Sequence, residues 1–237
     1  MKQDRAISSR QQLWALPGFL GLKKDWEVFN FSSVRLFDFD DFTFSSLHTL
    51  ADSLNQLALQ QKTFPTLMGY SLGARVALHA LIQAPQLWKS AILISANPGL
   101  TEEQAKKRRL QSDKQWANRF LIESWEKVTE DWNDQPIFLK TKQLKRVEEN
   151  YSREKIFHLL TSTSLGVQQD LRAKIKALPM PILWVVGKED TKYLEFSKSI
   201  RFSHPLSKVA VLTKAGHRAP WDQPFKFKKV VHEFLLL

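Results

Sequence analysis

Pro65-Thr66-Leu67-Met68-Gly69-Tyr70-Ser71-Leu72-Gly73-Ala74-Arg75 decides how the rest of the chain is read. Its first half is a short apolar run of the kind that forms a buried strand, and a helical pattern begins at about Leu72 and stops near Pro85. Between them stands Gly-x-Ser-x-Gly, the pattern of a serine held on a sharp strand-to-helix turn. The turn strains the serine so that its hydroxyl projects, and glycines two residues to either side let the strand and helix backbones pass close together. A helix-capping serine is the plainer alternative, but the strand-to-helix context favours a nucleophile.

Outward from this point, short apolar runs alternate with helical segments. Candidate strands are 12–16, 34–38, 65–70, 90–95, 181–186 and 208–213. Leu47, Leu50, Leu54 and Leu57 place a helix over 45–61, and a last helix runs from about Pro224 to Leu236. This alternation predicts an α/β fold with a mostly parallel sheet and flanking helices. One gap interrupts it: from Asn97 to about Leu178 there are only amphipathic helical segments, with Trp116, Phe120, Trp125, Trp132 and Phe138 set among charges. The expected organisation is therefore a core of 1–96 and 179–237, with a helical cap of 97–178 inserted between strands. About ten residues precede the first strand, too few for a leading β-hairpin.

A strained serine needs an imidazole to take its proton and a carboxylate to orient that imidazole. Of six histidines, His217 follows the last strand, whereas His48, His79, His158 and His232 sit in helical patterns and His204 in a polar loop. Asp190 closes Val185-Val186-Gly187-Lys188-Glu189-Asp190 directly after a strand, with Glu189 as the neighbouring alternative; Asp38 and Asp40 read as loop or cap residues. Developing oxyanion charge needs two backbone N–H groups, one from the residue after the nucleophile. Those are Leu72 and, from the glycine-flanked bend Leu16-Pro17-Gly18-Phe19-Leu20-Gly21, Phe19.

The 237 residues are 43% apolar and 25% charged, the balance of a folded globular chain. No apolar run approaches the length of a membrane span and no secretory segment follows Met1, which points to the cytoplasm. The absence of cysteine excludes disulfides, thiolate nucleophiles and thiolate metal sites, and neither cofactor nor metal is expected. The net charge of +11 is spread along the chain. Its densest run, Lys106-Lys107-Arg108-Arg109, reads as a solvated helix face from which one or two members bind an anion, and no nucleic-acid module is present.

From Leu16 to its end the sequence resembles the α/β-hydrolase superfamily. More narrowly, Gly69–Arg75, Asn97-Pro98-Gly99-Leu100, Arg109 with Asp113, Trp116 and Phe120, Asp131-Trp132, Gln135-Pro136-Ile137-Phe138, Ser164–Arg172 and Gly187–Lys192 are similar to the 2-succinyl-6-hydroxy-2,4-cyclohexadiene-1-carboxylate (SHCHC) synthases of menaquinone biosynthesis. The resemblance implies elimination of pyruvate from a small polyanionic precursor, with the triad serine as base. It carries substrate-binding roles onto Tyr70, Arg75, Arg109 and Trp132, and guanidinium forks suit carboxylates.

The chain departs from that family at three places. Pro17-Gly18 stands for His-Gly, Phe37-Asp38-Phe39-Asp40-Asp41-Phe42 replaces a Pro-Gly-His-Gly-x-Ser loop, and Glu148, two residues before Asn150, aligns with a cap arginine. Arg146, half a helical turn away, is the candidate replacement. The alternative activity is a serine carboxylesterase or thioesterase, for which a basic cap would suit an acyl carrier protein and Phe19, Trp116, Phe120 and Trp132 would line the pocket. A non-catalytic binding protein would lack a triad member, and all three are present.

Overall fold

Trp14 and Leu16 pack on one side of their strand, Leu13 and Ala15 on the other, and all four are buried. A strand apolar on both faces belongs in a parallel sheet covered on both sides by helices. A computed structural model of the protein, describing residues 12–237, has that architecture. Strands β1 (Leu13–Leu16), β2 (Val34–Leu36), β3 (Thr66–Tyr70), β4 (Ser90–Ile94), β5 (Ile182–Gly187) and β6 (Lys208–Leu212) form one sheet in the order β2-β1-β3-β4-β5-β6. The sequence suggests a mostly parallel sheet; all five pairings among the described residues are parallel. The expectations about the start of the chain, including the absent hairpin, fall on residues 1–11 and lie outside the described residues.

The connecting helices are α1 (Lys24–Glu27), α2 (Leu47–Leu59), α3 (Leu72–Gln83), α4 (Glu103–Ile122), α5 (Trp125–Asn133), α6 (Arg153–Ser162), α7 (Arg172–Lys176), α8 (Thr191–Ser199), α9 (Ala219–Asp222) and α10 (Pro224–Leu235). Ser46 starts α2 by accepting the Thr49 N–H at 3.1 Å, and Pro85, which cannot continue a helix, follows the end of α3. Alternation along the strands splits the core. Trp14, Leu67, Leu93 and Trp184 meet α2 and α3, while Leu13, Met68, Ile92 and Leu183 meet Trp26, Phe29, Phe227 and Val231. Each such side chain contributes about 1.5–3 kcal/mol by leaving water.

Between β4 and β5 the chain is helical, α4 to α7, with no strand. On α4 the positions Arg109, Asp113, Trp116 and Phe120 are four, three and four residues apart, which aligns them on one face. Phe120, Trp125, Val128, Ile156 and Leu160 form a separate apolar cluster that closes on Leu20, from the loop after β1. That contact ties the helical segment to the sheet, and truncating the fully buried Phe120 to alanine would leave a cavity costing about 3–5 kcal/mol. Among the described residues no helix is long and apolar enough to cross a membrane.

Candidate active site

Ser71 sits between β3 and α3 with φ 52° and ψ −106°, a backbone conformation that L-residues avoid. The flanking glycines make this turn possible. A Cβ on Gly69 would lie 2.3 Å from the Gly73 carbonyl oxygen, and one on Gly73 would lie 2.3 Å from the carbonyl oxygen of Pro17. No larger residue fits at either place, so helix, strand and the loop after β1 converge on the serine.

The structure brings His217 and Asp190 to it. His217 Nε2 is 3.0 Å from Ser71 Oγ, and His217 Nδ1 is 2.7 Å from Asp190 Oδ2. A carboxylate only accepts, so Nδ1 carries the hydrogen and Nε2 is free to accept from the serine hydroxyl. Asp190 is buried against the imidazole and Glu189 exposed. The histidine loop is fixed from below: Ser95 Oγ donates to the His217 carbonyl at 2.9 Å, and the Glu189 N–H donates to the Ala215 carbonyl at 2.8 Å. Tyr193, Tyr70 and Phe138 surround the imidazole with ring centroids 4.5, 5.6 and 5.8 Å away. An imidazole so oriented can withdraw the serine proton, which prepares an oxygen base or nucleophile.

Phe19 and Leu72 both line the cavity above Ser71, and their N–H groups donate to no other group among the described residues. Leu72 opens α3, where first-turn N–H groups have no partner in the helix. The Phe19 ring is 4.7 Å from Trp132 and 5.5 Å from Phe120. Trp132 also meets Trp116 edge-on at 5.0 Å. Phe120 does not line the cavity as an esterase pocket would need: it is wholly buried in the cap cluster, because its place on α4 turns it toward Trp125 and Ile156.

The cavity, about 170 Å³, is lined by four arginines, Arg75, Arg109, Arg146 and Arg218. Arg75, on α3 one turn after Ser71, is buried; its Nε donates to Gln168 Oε1 at 2.7 Å and its Nη2 has no partner. Burial, and then the charge of Arg109, push its pKa down to about 9, so at neutral pH it is a cation short of an anion. Arg109 is the inward member of the basic run and donates through Nε to Asp113 at 2.8 Å, whereas Lys107 and Arg108 face solvent. Asp113 also accepts from Ser164 Oγ at 2.7 Å. Arg146 lines the same cavity but is neutralised by Asp25, 2.8 Å away. Glu148 lies outside the cavity lining and pairs with Arg153 at 2.7 Å, so its carboxylate does not face Ser71.

Arg218, Tyr193 and the role of Gln168 are not evident from spacing. Arg218 had one available signal, its place directly after His217, and Gln168 lies within one of the similar segments without a chemical cue of its own. Tyr70 is buried against His217 and Trp221, and burial raises the pKa of its phenol. Outside the site, Asp38 is a structural residue that accepts the Lys23 N–H at 2.7 Å. The described residues contain no group of three or more histidines and acids placed to hold a metal.

Residues 13–229 match the model of the alpha/beta hydrolase family. A provisionally assigned SHCHC synthase of Haemophilus influenzae is 33% identical over 93% of this chain and 96% of its own length. The SHCHC synthase of Photorhabdus laumondii is 33% identical over 76% of this chain, which spans 66% of that protein's length. Among solved structures, MenH from S. aureus superposes with a TM-score of 0.86 over 95% of this chain and 93% of its own, at 24% identity. The chain belongs to the α/β-hydrolase family, among the relatives of the SHCHC synthases.

Proposed function

We propose that the protein is an SHCHC synthase, a lyase that eliminates pyruvate from a polycarboxylate precursor of menaquinone. The observation that carries this reading is the company Ser71 keeps: four guanidinium groups line its cavity, and two of them, Arg75 and Arg218, have no carboxylate within 4.0 Å among the described residues. Buried cations left without counterions are costly, and a substrate carrying several carboxylates would relieve that cost.

In this reading Ser71, Asp190 and His217 act together as the catalytic residues. His217 takes the Ser71 proton, and Ser71 Oγ removes a proton from a ring carbon of the substrate. The electron pair of that C–H bond becomes a ring double bond as the bond from the ring to the enolpyruvyl oxygen breaks. His217 returns its proton to the departing group, and the enol rearranges to pyruvate. The N–H groups of Phe19 and Leu72 hold the negative charge that develops on substrate oxygen, and no acyl-enzyme forms. Tyr70, Arg75, Arg109 and Trp132 bind the substrate, Trp132 and Phe19 by covering its ring.

The test is incubation of the purified protein with the precursor and, separately, with a short p-nitrophenyl ester. Pyruvate release without nitrophenol release is the expected result. Nitrophenol without pyruvate would overturn the lyase reading in favour of a serine hydrolase.

A further inference from the structure

Arg218 is a second buried cation beside the serine, and it is held as if for a ligand. Its Nη1 donates to the Lys142 carbonyl at 3.1 Å and its Nη2 to Asn133 Oδ1 at 2.5 Å, while its guanidinium lies 4.3 Å from the centre of the Phe138 ring. These contacts fix the orientation of the fork and leave its charge uncompensated. Asp222, the acid whose field reaches Arg218, is engaged by the N–H groups of Gly216 at 2.8 Å and Lys142 at 2.6 Å. Arg146, the neighbouring cation, already has Asp25. Burial lowers the pKa of Arg218, as it must for a cation kept from water without a counterion. Lys142 and Asn133 take two of the five N–H donors of the guanidinium and the Tyr70 hydroxyl lies within its reach, so donors remain to meet an anion in the cavity that Arg218 lines.

We propose that Arg218 anchors a carboxylate of the substrate, distinct from the carboxylates at Arg75 and Arg109, and so fixes the specificity of the site for a tricarboxylate. The proposal rests on the lyase reading. An SHCHC product has two carboxylates by its name, one on the ring and one ending the succinyl chain, and the pyruvate removed from its precursor adds a third. Three cavity arginines remain to meet them: Arg75 and Arg218, which have no internal acid, and Arg109, which shares Asp113 with Ser164. The two unpaired cations are fixed by different parts of the cap. Gln168 orients Arg75, and Asn133 with Lys142 orients Arg218, so the anchors are held independently.

The experiment compares wild type with Arg218→Gln and Arg218→Lys, each first shown to be folded by thermal unfolding, and measures kcat and KM for pyruvate release. A charge-assisted anchor predicts a KM about 10- to 100-fold higher in Arg218→Gln, a smaller change in kcat, and partial recovery of KM in Arg218→Lys, which keeps the charge without the fork. An unchanged KM in folded Arg218→Gln, or equal losses in both variants, would overturn it. Where wild type releases no pyruvate, the lyase reading fails, and titration of citrate into the same three proteins decides the anchor: binding weakened at least about tenfold by Arg218→Gln and partly restored by Arg218→Lys upholds it, and any other result overturns it.

Discussion

The Tyr151 hydroxyl donates to the Leu20 carbonyl at 2.7 Å, and Leu20 is held at φ 56°, in the left-handed region that leucine seldom occupies. Leu20 follows Phe19, which lines the cavity, so a side chain of the helical segment holds the strained loop that carries the proposed oxyanion donor. Burial pushes the Tyr151 phenol up to about 12. Its ring stacks on Trp125 at 5.0 Å, and Trp125 in turn donates to the Arg146 carbonyl at 3.0 Å.

Replacing this hydroxyl removes one hydrogen bond and no packing. Tyr151→Phe should lower unfolding stability by about 0.5–1.5 kcal/mol and reduce kcat by about threefold to tenfold through a misaimed Phe19 amide, with KM little changed. Urea unfolding and steady-state kinetics on the same preparation check it. A rise in KM with kcat intact would show that Tyr151 acts on the substrate pocket instead.

Ser71→Ala separates chemistry from fold. The substitution deletes one hydroxyl, whose partner is His217 Nε2, and leaves the backbone turn to the two glycines. Turnover should vanish while stability changes by no more than about 1 kcal/mol. Gly73→Ala should do the opposite to the fold: a methyl group 2.3 Å from the Pro17 carbonyl forces the loop away, with a loss of about 1–3 kcal/mol as well as of activity. Activity near wild type in Ser71→Ala would remove the serine from the mechanism.

His79 makes the stability of the fold depend on pH without entering the reaction. It lies on α3, largely buried with Nε2 unpartnered, and burial, followed by the charge of Arg75, lowers its pKa to about 4. The unfolded chain therefore binds this proton more readily, with a pKa of about 6.5, so the stabilisation is full above that value and declines as pH falls toward 4. Between pH 7 and pH 5 the loss should be about 1–2 kcal/mol, allowing for the partial exposure of the ring. Urea midpoints at the two pH values for wild type and His79→Gln test this: the variant should lose that part of the slope, and an unchanged slope would assign the pH dependence elsewhere.

What the sequence discloses is what is local. The six strands are legible because each is a short apolar run, and the elbow is legible because serine, glycines and junction all fall within five residues. Helices α1 and α9 are too short to show a period, four residues each, and β2 ends at Leu36 rather than 38 because Asp38 leaves the sheet to bind the Lys23 N–H. The cation environment is the least legible part. Arg146 and Arg218 both line the cavity, yet one is neutralised and the other is not, and that difference depends on Asp25, 121 residues from Arg146 in sequence. Glu148 reads from its alignment alone as the loss of a cap arginine, and its pairing with Arg153 is set by the turn that precedes α6.

Arg75 and Arg109 separate the lyase from the esterase, and their different partners predict different responses. Removing Arg75 leaves only Gln168 without its donor, so Arg75→Ala should cost the interaction with the substrate carboxylate: about 2–4 kcal/mol in kcat/KM, or about 30- to 1,000-fold, with little loss of stability. Removing Arg109 also strands Asp113, a buried carboxylate that would keep only Ser164, so Arg109→Ala should lose stability as well as kcat/KM. Asp113→Asn in the Arg109→Ala background removes that stranded charge and should restore the stability but not the kinetics. Steady-state kinetics on the precursor and urea unfolding of the three variants decide the matter. If kcat/KM is indifferent to both single substitutions, the arginines bind no substrate carboxylate, and the chief physical support for the lyase is gone.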